Sequence, residues 1–337
     1  VLTNSQIGGR RNIIINGAMQ VAQRGTSETG VGASDGYFTL DRYFINVGST
    51  SAGRLTMSQA TVTDLPGFAN ALKLECTTAD TSIAAGEQLT IDHRIEGQNL
   101  QQFKKGTSQA ESFTISFYAK ANANATYACE LFDSDNTRQI TKLFNVTSSW
   151  SRIILTFPPD TSGVLDDDNA LSMNLIIALH GGSTYTSGTL NTSSWADNVT
   201  ANRRAGITSF FDSTDRTFFI TGLQMEVGEQ ATPFEHRSFG EELALCQRYY
   251  YQIEHTGDRR FGVDGLYSSG TGAGLNIMFT HPTTMRAGPT LTVASSMGGT
   301  TTFDNDTKHI YLKTTGHSTG RVTVELSSGT TTVDSEL

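Results

Sequence analysis

The clearest alternation of apolar and polar residues lies in the run FFITGLQMEVGEQATPFE, which begins at Phe218. Leu, Gln, Met, Glu and Val follow one another over positions 223–227, and this period of two predicts a strand with one buried and one wet face. Phe218 and Ile220 fall on the opposite parity, so we expect a β-bulge or a close backbone approach at Gly222. Pro233 cannot donate a ladder hydrogen bond, so the strand should end before it or lie at an edge there.

The same alternation recurs along most of the chain, in short runs separated by Gly, Ser, Asn and Pro. Residues 25–36 read as a loop, and DSDNT is expected to be the turn of a hairpin over 127–144. A pattern of many short strands predicts an all-β fold. The remaining predicted strands cover 13–16, 37–47, 54–61, 71–76, 87–95, 113–120, 150–160 and 171–182.

One helix interrupts this pattern. Ser238 and Glu241 form a capping-box signature, and apolar residues recur at helical spacing after it, which predicts a helix over about 239–249. Beyond residue 256 short strands broken by Gly return, with one stretch at 290–296 and a hairpin over 303–312. The predicted organisation is therefore a large β domain (1–237), a linking helix segment (238–255) and a small C-terminal β domain (256–337).

Three runs carry a resemblance to a known family. They are RNIIINGAMQVAQRG (11–25), IEGQNLQQF followed by ESFTISFYAKA (95–121), and ITGLQMEVGEQATPFEHRSFGEELALCQRYYY (220–251). Together they resemble the carbohydrate-binding-module-like jelly roll of bacteriophage and marine-virus tail-fibre and structural proteins, over roughly three quarters of the chain. The resemblance implies a jelly-roll β-sandwich with one short linking helix and a second, smaller β domain. Its motifs mark strands and corners of a scaffold, not a reaction centre.

Composition and charge exclude several classes of partner. Charged residues make up 17% of the chain, and the formal net charge of −9 would repel a phosphate backbone, so nucleic acid is not an expected partner. No apolar run approaches the ~18 residues that a membrane-spanning helix needs. The first residues, VLTNSQIGGRR, lack the apolar region of a signal peptide.

From the sequence we expect neither a metal site nor a cofactor site. Cys76, Cys129 and Cys246 are too few and too far apart for a disulfide or zinc scaffold, and the first two read as small core residues on strands. This usage suits assembly in a reducing cytoplasm. The turn at Asp133 begins like a calcium loop but lacks the Gly and Glu that such a loop requires. The acidic cluster 166–168 could bind calcium, although a solvated loop is the favoured interpretation.

No catalytic signature is present either, so we expect a non-enzymatic protein. No G-x-S-x-G elbow stands between a predicted strand and a predicted helix, and an H-E-x-x-H helix and a Walker loop are missing from the sequence. A glycosidase carboxylate pair cannot be located from sequence alone. His93 and His236 stand beside arginines at predicted strand ends, where surface hydrogen bonds are expected.

Sugar recognition would use aromatic faces and polar side chains on loops. The exposed-loop aromatics available are Tyr185 and Trp195, in the long Ser-, Thr- and Asn-rich segment 181–206, and Tyr267. Each has a structural interpretation beside the binding one. The resemblance favours the structural role for Trp195, because a Trp at a comparable place pins the loop in those modules.

These observations favour a virion structural protein, most simply a tail-fibre or receptor-binding subunit that attaches to host surface glycans. Its location would be the tail or capsid surface, and its partners other virion proteins and further copies of itself. A homotrimer is expected because residues 256–337 hold few large apolar residues and would share a core with neighbouring chains. The alternatives are a capsid decoration or head-fibre protein and, from another class, a secreted carbohydrate-binding module or glycoside hydrolase accessory domain.

Overall fold

The computed structural model describes residues 10–48, 52–255, 261–267, 275–292, 300–315, 320–326 and 329–337. The chain divides into two compact units, Val1–Glu242 together with Leu337, and Leu243–Glu336. No helix in the described residues is both long and apolar enough to cross a membrane.

The described residues of the first unit form thirteen strands in two antiparallel sheets. The six-stranded sheet has the order β1-β4-β5-β13-β7-β10, and the seven-stranded sheet has the order β12-β9-β8-β11-β6-β3-β2. A single helical turn, α1 (Ser183–Thr186), follows β11. The strands are β1 (Ser27–Val31), β2 (Gly36–Tyr37), β3 (Phe44–Asn46), β4 (Arg54–Thr61), β5 (Asn70–Thr78), β6 (Gln88–Glu96), β7 (Phe113–Ala121), β8 (Ala125–Asp133), β9 (Arg138–Val146), β10 (Ser151–Phe157), β11 (Leu171–Gly181), β12 (Ala196–Asp197) and β13 (Thr217–Val227).

The pairing of these strands is nested, which defines a jelly roll. The hairpin β8·β9 lies inside the pair β7·β10, which lies inside β6·β11, which lies inside β5·β13. Successive pairs alternate between the two sheets, so the folded ribbon wraps around one core. The all-β jelly-roll fold predicted from the sequence is thus confirmed.

Most predicted strands coincide with observed ones. The strands at 54–61, 71–76, 87–95, 113–120, 150–160 and 171–182 and the hairpin 127–144 differ from β4 to β11 by at most three residues at any end. The reason is the period of two, since the inward positions of both sheets build one continuous core. Cys76 and Cys129 are fully buried free thiols in that core, as predicted.

The amino-terminal segment differs from expectation. Residues 13–16 form no strand, because Asn16 adopts a left-handed conformation (φ 60°) and uses its side chain to hold a compact turn. The amide of Asn16 donates to the carbonyls of Val21 and Asp41 and accepts from the N–H groups of Gln20 and Val21. The predicted loop 25–36 contains β1, and the predicted strand 37–47 is reduced to the short strands β2 and β3.

Strand β13 confirms one expectation and overturns another. The pairing with β7 shifts between Thr221 and Gln224 around Gly222, whose φ is +62°, so the predicted bulge is present. Leu223 lies in the core, as predicted. The opposite face of the strand is not exposed to solvent, because Gln224 and Glu226 are 0% and 3% exposed. The segment that follows the strand folds back over them, since Thr232 N–H donates to Glu226 and Glu235 N–H donates to Gln224.

The second unit contains the predicted helix, α2 (Phe239–Gln247), from Leu243 onward. Eight strands are described after it, in sheets ordered β14-β21-β17, β15-β20 and β16-β19-β18. The predicted hairpin 303–312 is present as β18·β19, whereas residues 293–296 lie outside the described part of the chain. The bounds are β14 (Tyr250–His255), β15 (Phe261–Tyr267), β16 (Leu275–Thr280), β17 (Thr290–Thr292), β18 (Thr300–Asn305), β19 (His309–Thr315), β20 (Gly320–Leu326) and β21 (Gly329–Asp334).

Candidate functional site

The outer face of the seven-stranded sheet is covered by the chain's own segment 182–207. Gly182 N–H donates to the carbonyl of Glu87, and Arg203 Nε donates to Glu130 on β8 at 2.6 Å. Arg204 is 1% exposed and donates through Nη1 to the side chain of Gln88. Ile207 packs on a small apolar cluster of this face, which comprises Ala128, Ile176 and Ala178.

Two carboxylates beneath that cover have the spacing of a glycosidase pair. Asp92 on β6 and Glu130 on β8 are both paired with Ile176, so they lie two strands apart, about 10 Å. Both are buried, at 3% and 0% exposure. Burial raises the pKa of Asp92, although the Thr90 hydroxyl donates to it at 2.6 Å. With Arg203 and Arg204 closing the face, a substrate has no access to this pair.

Tyr185 and Trp195, which the sequence singled out in segment 181–206, have separate surroundings. The ring of Tyr185 lies 4.8 Å from the guanidinium of Arg204, so it belongs to the cover over the seven-stranded sheet. Trp195 is 7% exposed and its Nε1 donates to the carbonyl of Pro158 at 2.9 Å, a structural arrangement that leaves no open ring face for a ligand. Tyr267 ends β15, and its side chain lies outside the described part of the structure.

The outer face of the six-stranded sheet carries a different arrangement, which we call the aromatic row: Lys73, Phe219, Lys120 and Trp150. Strand register builds it, because Phe219 is paired with Lys73 on β5 and with Lys120 on β7. Trp150 stands immediately before β10, whose first residue Ser151 is paired with Ala119, so it comes next to Lys120. From Lys73 on β5 to Trp150 at the start of β10 the row crosses four strands, about 14 Å.

Cations and rings alternate along the aromatic row. Lys120 Nζ lies 4.8 Å from the ring centroid of Trp150 and 5.1 Å from that of Phe219. Lys73 Nζ lies 5.8 Å from the Phe219 centroid on the other side. Phe219 and Trp150 contact each other edge to face at 6.2 Å. These distances are those of cation–π interactions, which fix the rings while both remain half-buried at the surface.

A second line of rings continues the face beside the aromatic row. Tyr118 on β7 is half-buried and is paired with Arg152 on β10. Phe68 packs on Tyr118 at 5.3 Å and on the exposed ring of His236 at 5.3 Å. Phe68 lies over Gly222, where any Cβ would come within 2.7 Å of the ring. The face therefore carries partly exposed rings that are tilted against one another, with charged groups between them.

Two carboxylates accompany these cations. Asp64 accepts from Lys120 Nζ at 2.5 Å and from Trp150 Nε1 at 2.9 Å, and these two hydrogen bonds lower the pKa of the Asp64 carboxyl. Glu75 pairs with Lys73. The Asp64 and Glu75 side chains are 56% and 40% exposed, whereas Lys120 and Lys73 are 20% and 27% exposed. The cations are thus held against the sheet, and their partners face solvent.

Sequence reasoning missed this face because it searched loops for aromatic residues, whereas the rings lie on or beside strands. A usable signal exists: Phe218 is core, so the next residue, Phe219, must point outward. The same parity places Tyr118 opposite to the buried Phe117. What sequence does not give is the register that aligns four strands into one row.

A cleft of about 280 Å³ lies at one end of the sandwich, between the start of β7 and the ends of β10 and β13. Glu111 at its wall pairs with Lys104 at 2.9 Å, and Glu229 is exposed. It is polar and has no ring on which a sugar could stack, so the aromatic row suits a glycan better. The lining residues are Ala110, Glu111, Ser112, Pro159, Gly228, Glu229 and Gln230.

A serine, a histidine and a glutamate are aligned inside the first unit. Ser209 Oγ lies 2.8 Å from His180 Nδ1, and His180 Nε2 lies 3.4 Å from Glu87 Oε2. His180 and Glu87 are fully buried, and burial lowers the pKa of His180. Ser209 Oγ also accepts from the N–H of Phe211, where it caps a 3-10 turn. The arrangement is a buried His180–Glu87 pair beside a serine that caps a turn. The sequence interpretation of His93 as a surface residue at a strand end is wrong, since His93 is 2% exposed in the middle of β6.

The acidic turn at Asp133 holds a lysine. Lys105 Nζ is fully buried between Asp133 and Asp160 and also donates to the carbonyls of Ser162 and Gly163, at 3.0 and 2.8 Å. The turn itself is the predicted hairpin turn between β8 and β9. In the described residues no group of three His, Cys, Asp or Glu side chains is placed to hold a metal ion.

No family model matches the chain, and no curated protein matches it. Similar solved structures include the CBM22-1 xylan-binding domain of Paenibacillus barcinonensis Xyn10C, at 10% identity and a TM-score of 0.31, over 66% of this chain and 100% of that one. A family 11 carbohydrate-binding module of Clostridium thermocellum, in complex with a mixed-linked tetrasaccharide, matches at 13% identity and 0.28, over 61% and 98%.

The enzymatically active domain of bacteriophage CBA120 tailspike protein 4 matches at 11% identity and a TM-score of 0.34, over 64% of this chain. The chain spans only 21% of that tailspike domain. With TM-scores below 0.5, none of these likenesses carries an argument about function.

Proposed function

We propose that this protein is a non-enzymatic glycan-binding protein of a virion, a tail-fibre or receptor-binding subunit that contacts host surface glycans through the aromatic row. One observation carries the proposal: Phe219 and Trp150 stand partly exposed on the outer face of a sheet, and Lys120 lies against both rings. Sugars present apolar ring faces and polar rims, and a fixed aromatic surface edged by charged groups is complementary to both. The length of the row suits an oligosaccharide better than a single sugar.

The proposal includes that the protein does not hydrolyse the glycan it binds. Asp92 and Glu130 have a suitable spacing for glycoside hydrolysis, but the segment 182–207 buries both. Along the aromatic row the hydrogen bonds from Lys120 and Trp150 lower the pKa of the Asp64 carboxyl, which makes it unsuited to act as a general acid. Glu75 is exposed and paired with Lys73. The row is therefore built to bind and not to cleave.

The test is binding to an immobilised glycan array by the full chain and by two variants, Trp150→Ala and Phe219→Ala. Each variant should lose about tenfold or more in affinity, since each removes a ring that stacks on the sugar. Tyr185→Ala is the control, because this ring lies over the seven-stranded sheet. Loss in Tyr185→Ala with retention in both row variants would transfer the site to segment 182–207. Thermal melts of all three variants separate lost binding from lost folding.

The virion assignment needs its own measurement. Mass spectrometry of purified particles should find the chain, and the row variants should reduce particle adsorption to host cells. A chain missing from particles would overturn the virion role and leave glycan binding standing.

A further inference from the structure

Three positive side chains surround the rings of the candidate face. Lys73 and Lys120 flank Phe219, and Arg152 on β10 stands opposite Tyr118. The chain as a whole has a formal charge of −9, so a local group of three cations departs from its overall charge. Asp64 and Glu75 pair with Lys120 and Lys73, and Arg152 donates to the carbonyl of Thr232.

The carboxylate partners of these cations are the exposed members of each pair. Asp64 reaches the Lys120 ammonium and the Trp150 Nε1–H from solvent, with 56% of its side chain exposed. Exposed ion pairs of this kind stabilise a fold little, because water and salt screen them. A ligand carboxylate that took the place of Asp64 would meet the same two donors at little loss.

We propose that the aromatic row selects glycans that carry a carboxylate, such as uronic or sialic acids. The carboxylate would accept from Lys120 Nζ and Trp150 Nε1, and the apolar face of the sugar would lie on the rings of Trp150 and Phe219. Lys73 and Arg152 add long-range attraction for a negatively charged polymer. The inference rests on the proposed function, since it assigns the ligand class of the same face.

The experiment uses an array of matched pairs, each a carboxylate glycan beside its neutral counterpart: polygalacturonate and its methyl ester, and sialylated and desialylated oligosaccharides. The full chain should bind the acidic member of at least one pair tenfold or more tightly. Raising sodium chloride from 50 to 500 mM should weaken that binding and leave binding to the neutral member unchanged.

The variant that isolates the charge is Lys120→Met, which keeps an apolar stem beside the rings. It should weaken binding to the acidic member more than binding to the neutral one, so that the preference for the acidic member is lost. Lys142→Met is the matched control, because Lys142 Nζ lies 5.8 Å from the ring of Phe157 but belongs to β9 of the other sheet. It should leave the preference intact.

The outcomes are distinguishable. Equal binding to both members of every pair would overturn the carboxylate selectivity and leave the glycan-binding function in place. A preference that survives Lys120→Met would also overturn it, because the charge would then be read elsewhere. Failure of all pairs to bind, with Trp150→Ala indistinguishable from the unaltered chain, would overturn the proposed function itself.

Discussion

The ammonium group of Lys105 is buried against the carboxylate of Asp133, and a second carboxylate, Asp160, lies 3.0 Å from the same nitrogen. Both lysine and Asp133 side chains are 0% exposed. Removing one member of a buried ion pair is costly, because the remaining charges lose their partner in a poorly solvating environment. Lys105→Met should therefore lower the free energy of unfolding by about 3 to 5 kcal/mol, measured by denaturant titration at pH 7.

The adjacent lysine provides the control for that measurement. Lys104 pairs with Glu111 at 2.9 Å, but their side chains are 47% and 41% exposed. Lys104→Met should cost at most about 1 kcal/mol, because a surface pair contributes little. Similar losses in the two variants would contradict the buried-pair interpretation.

Lys105 also bears on whether the fold depends on a bound metal ion. Its Nζ lies among oxygens of Asp133, Asp160, Ser162 and Gly163, where a calcium ion would otherwise find its ligands. We expect the melting temperature to be the same with and without excess chelator. A clear drop on chelation would show that a bound ion stabilises the fold.

His93 should make stability depend on pH. Burial lowers its pKa well below the usual value, and the charges of Arg42 and Arg237 act in the same direction. The unfolded chain takes up a proton below about pH 6.5 while the folded chain does not, so stability falls as pH decreases from 7 to 5. The slope is at most about 1.4 kcal/mol per pH unit for one such group.

The matched variant is His93→Gln, which stays neutral throughout this range. It should lose part of the decrease between pH 7 and 5 in denaturant titrations. An unchanged pH profile would mean that His93 is protonated in the folded protein, or that its neighbours rearrange to solvate it.

Two adjacent residues of β13 test the packing on both sides of the six-stranded sheet. Leu223→Ala should cost about 2 to 5 kcal/mol, because it leaves a cavity in the core. Gln224→Ala should cost about 1 to 3 kcal/mol, since it leaves the Glu235 N–H without its acceptor and removes one donor to the Glu226 carboxylate. Thr217→Ala, at the partly exposed start of the strand, should cost far less. If Gln224→Ala left the free energy of unfolding unchanged, this side of β13 would be exposed to solvent, as the alternation alone predicts.

The contrast between these residues shows what the sequence can and cannot predict. Alternation is a local property, so it located β4 to β11 and the core side of β13. It could not show that the residues after β13 fold back over Gln224, or that segment 182–207 covers Asp92 and Glu130, because both depend on contacts between distant parts of the chain.

The candidate site illustrates the same limit. A Phe or Trp that is partly exposed on a strand cannot be told from a core residue by its type. Phe219 differs from the buried Phe218 only in that successive side chains of a strand point to opposite faces. The partners of Phe219 come from β5 and β7, so the row exists only once the jelly-roll pairing is known. Sequence reasoning therefore found the scaffold and looked for its binding residues in the loops instead.

The last prediction concerns assembly: we expect the full chain to be a homotrimer, with the second unit contributing much of the interface. Among the described residues of that unit, Tyr251, Met285, Ile310 and Val333 form a buried apolar cluster. Met278 on β16 is 57% exposed, which is unusual for a large apolar side chain on a strand. The unit would gain stability if neighbouring chains covered such a residue, and three copies would multiply weak glycan contacts through effective concentration.

Light scattering on the full chain at micromolar concentration tests this, together with the variant Met278→Lys. The unaltered chain should have the mass of three copies, and Met278→Lys should shift the population toward monomer, because a charge at a covered apolar position is costly. Ile154→Lys is the control, since Ile154 is 50% exposed but belongs to β10 of the jelly roll. A monomeric full chain would contradict the trimer. Dissociation by Ile154→Lys alone would instead place the interface on the six-stranded sheet, where it would compete with the aromatic row for the same face.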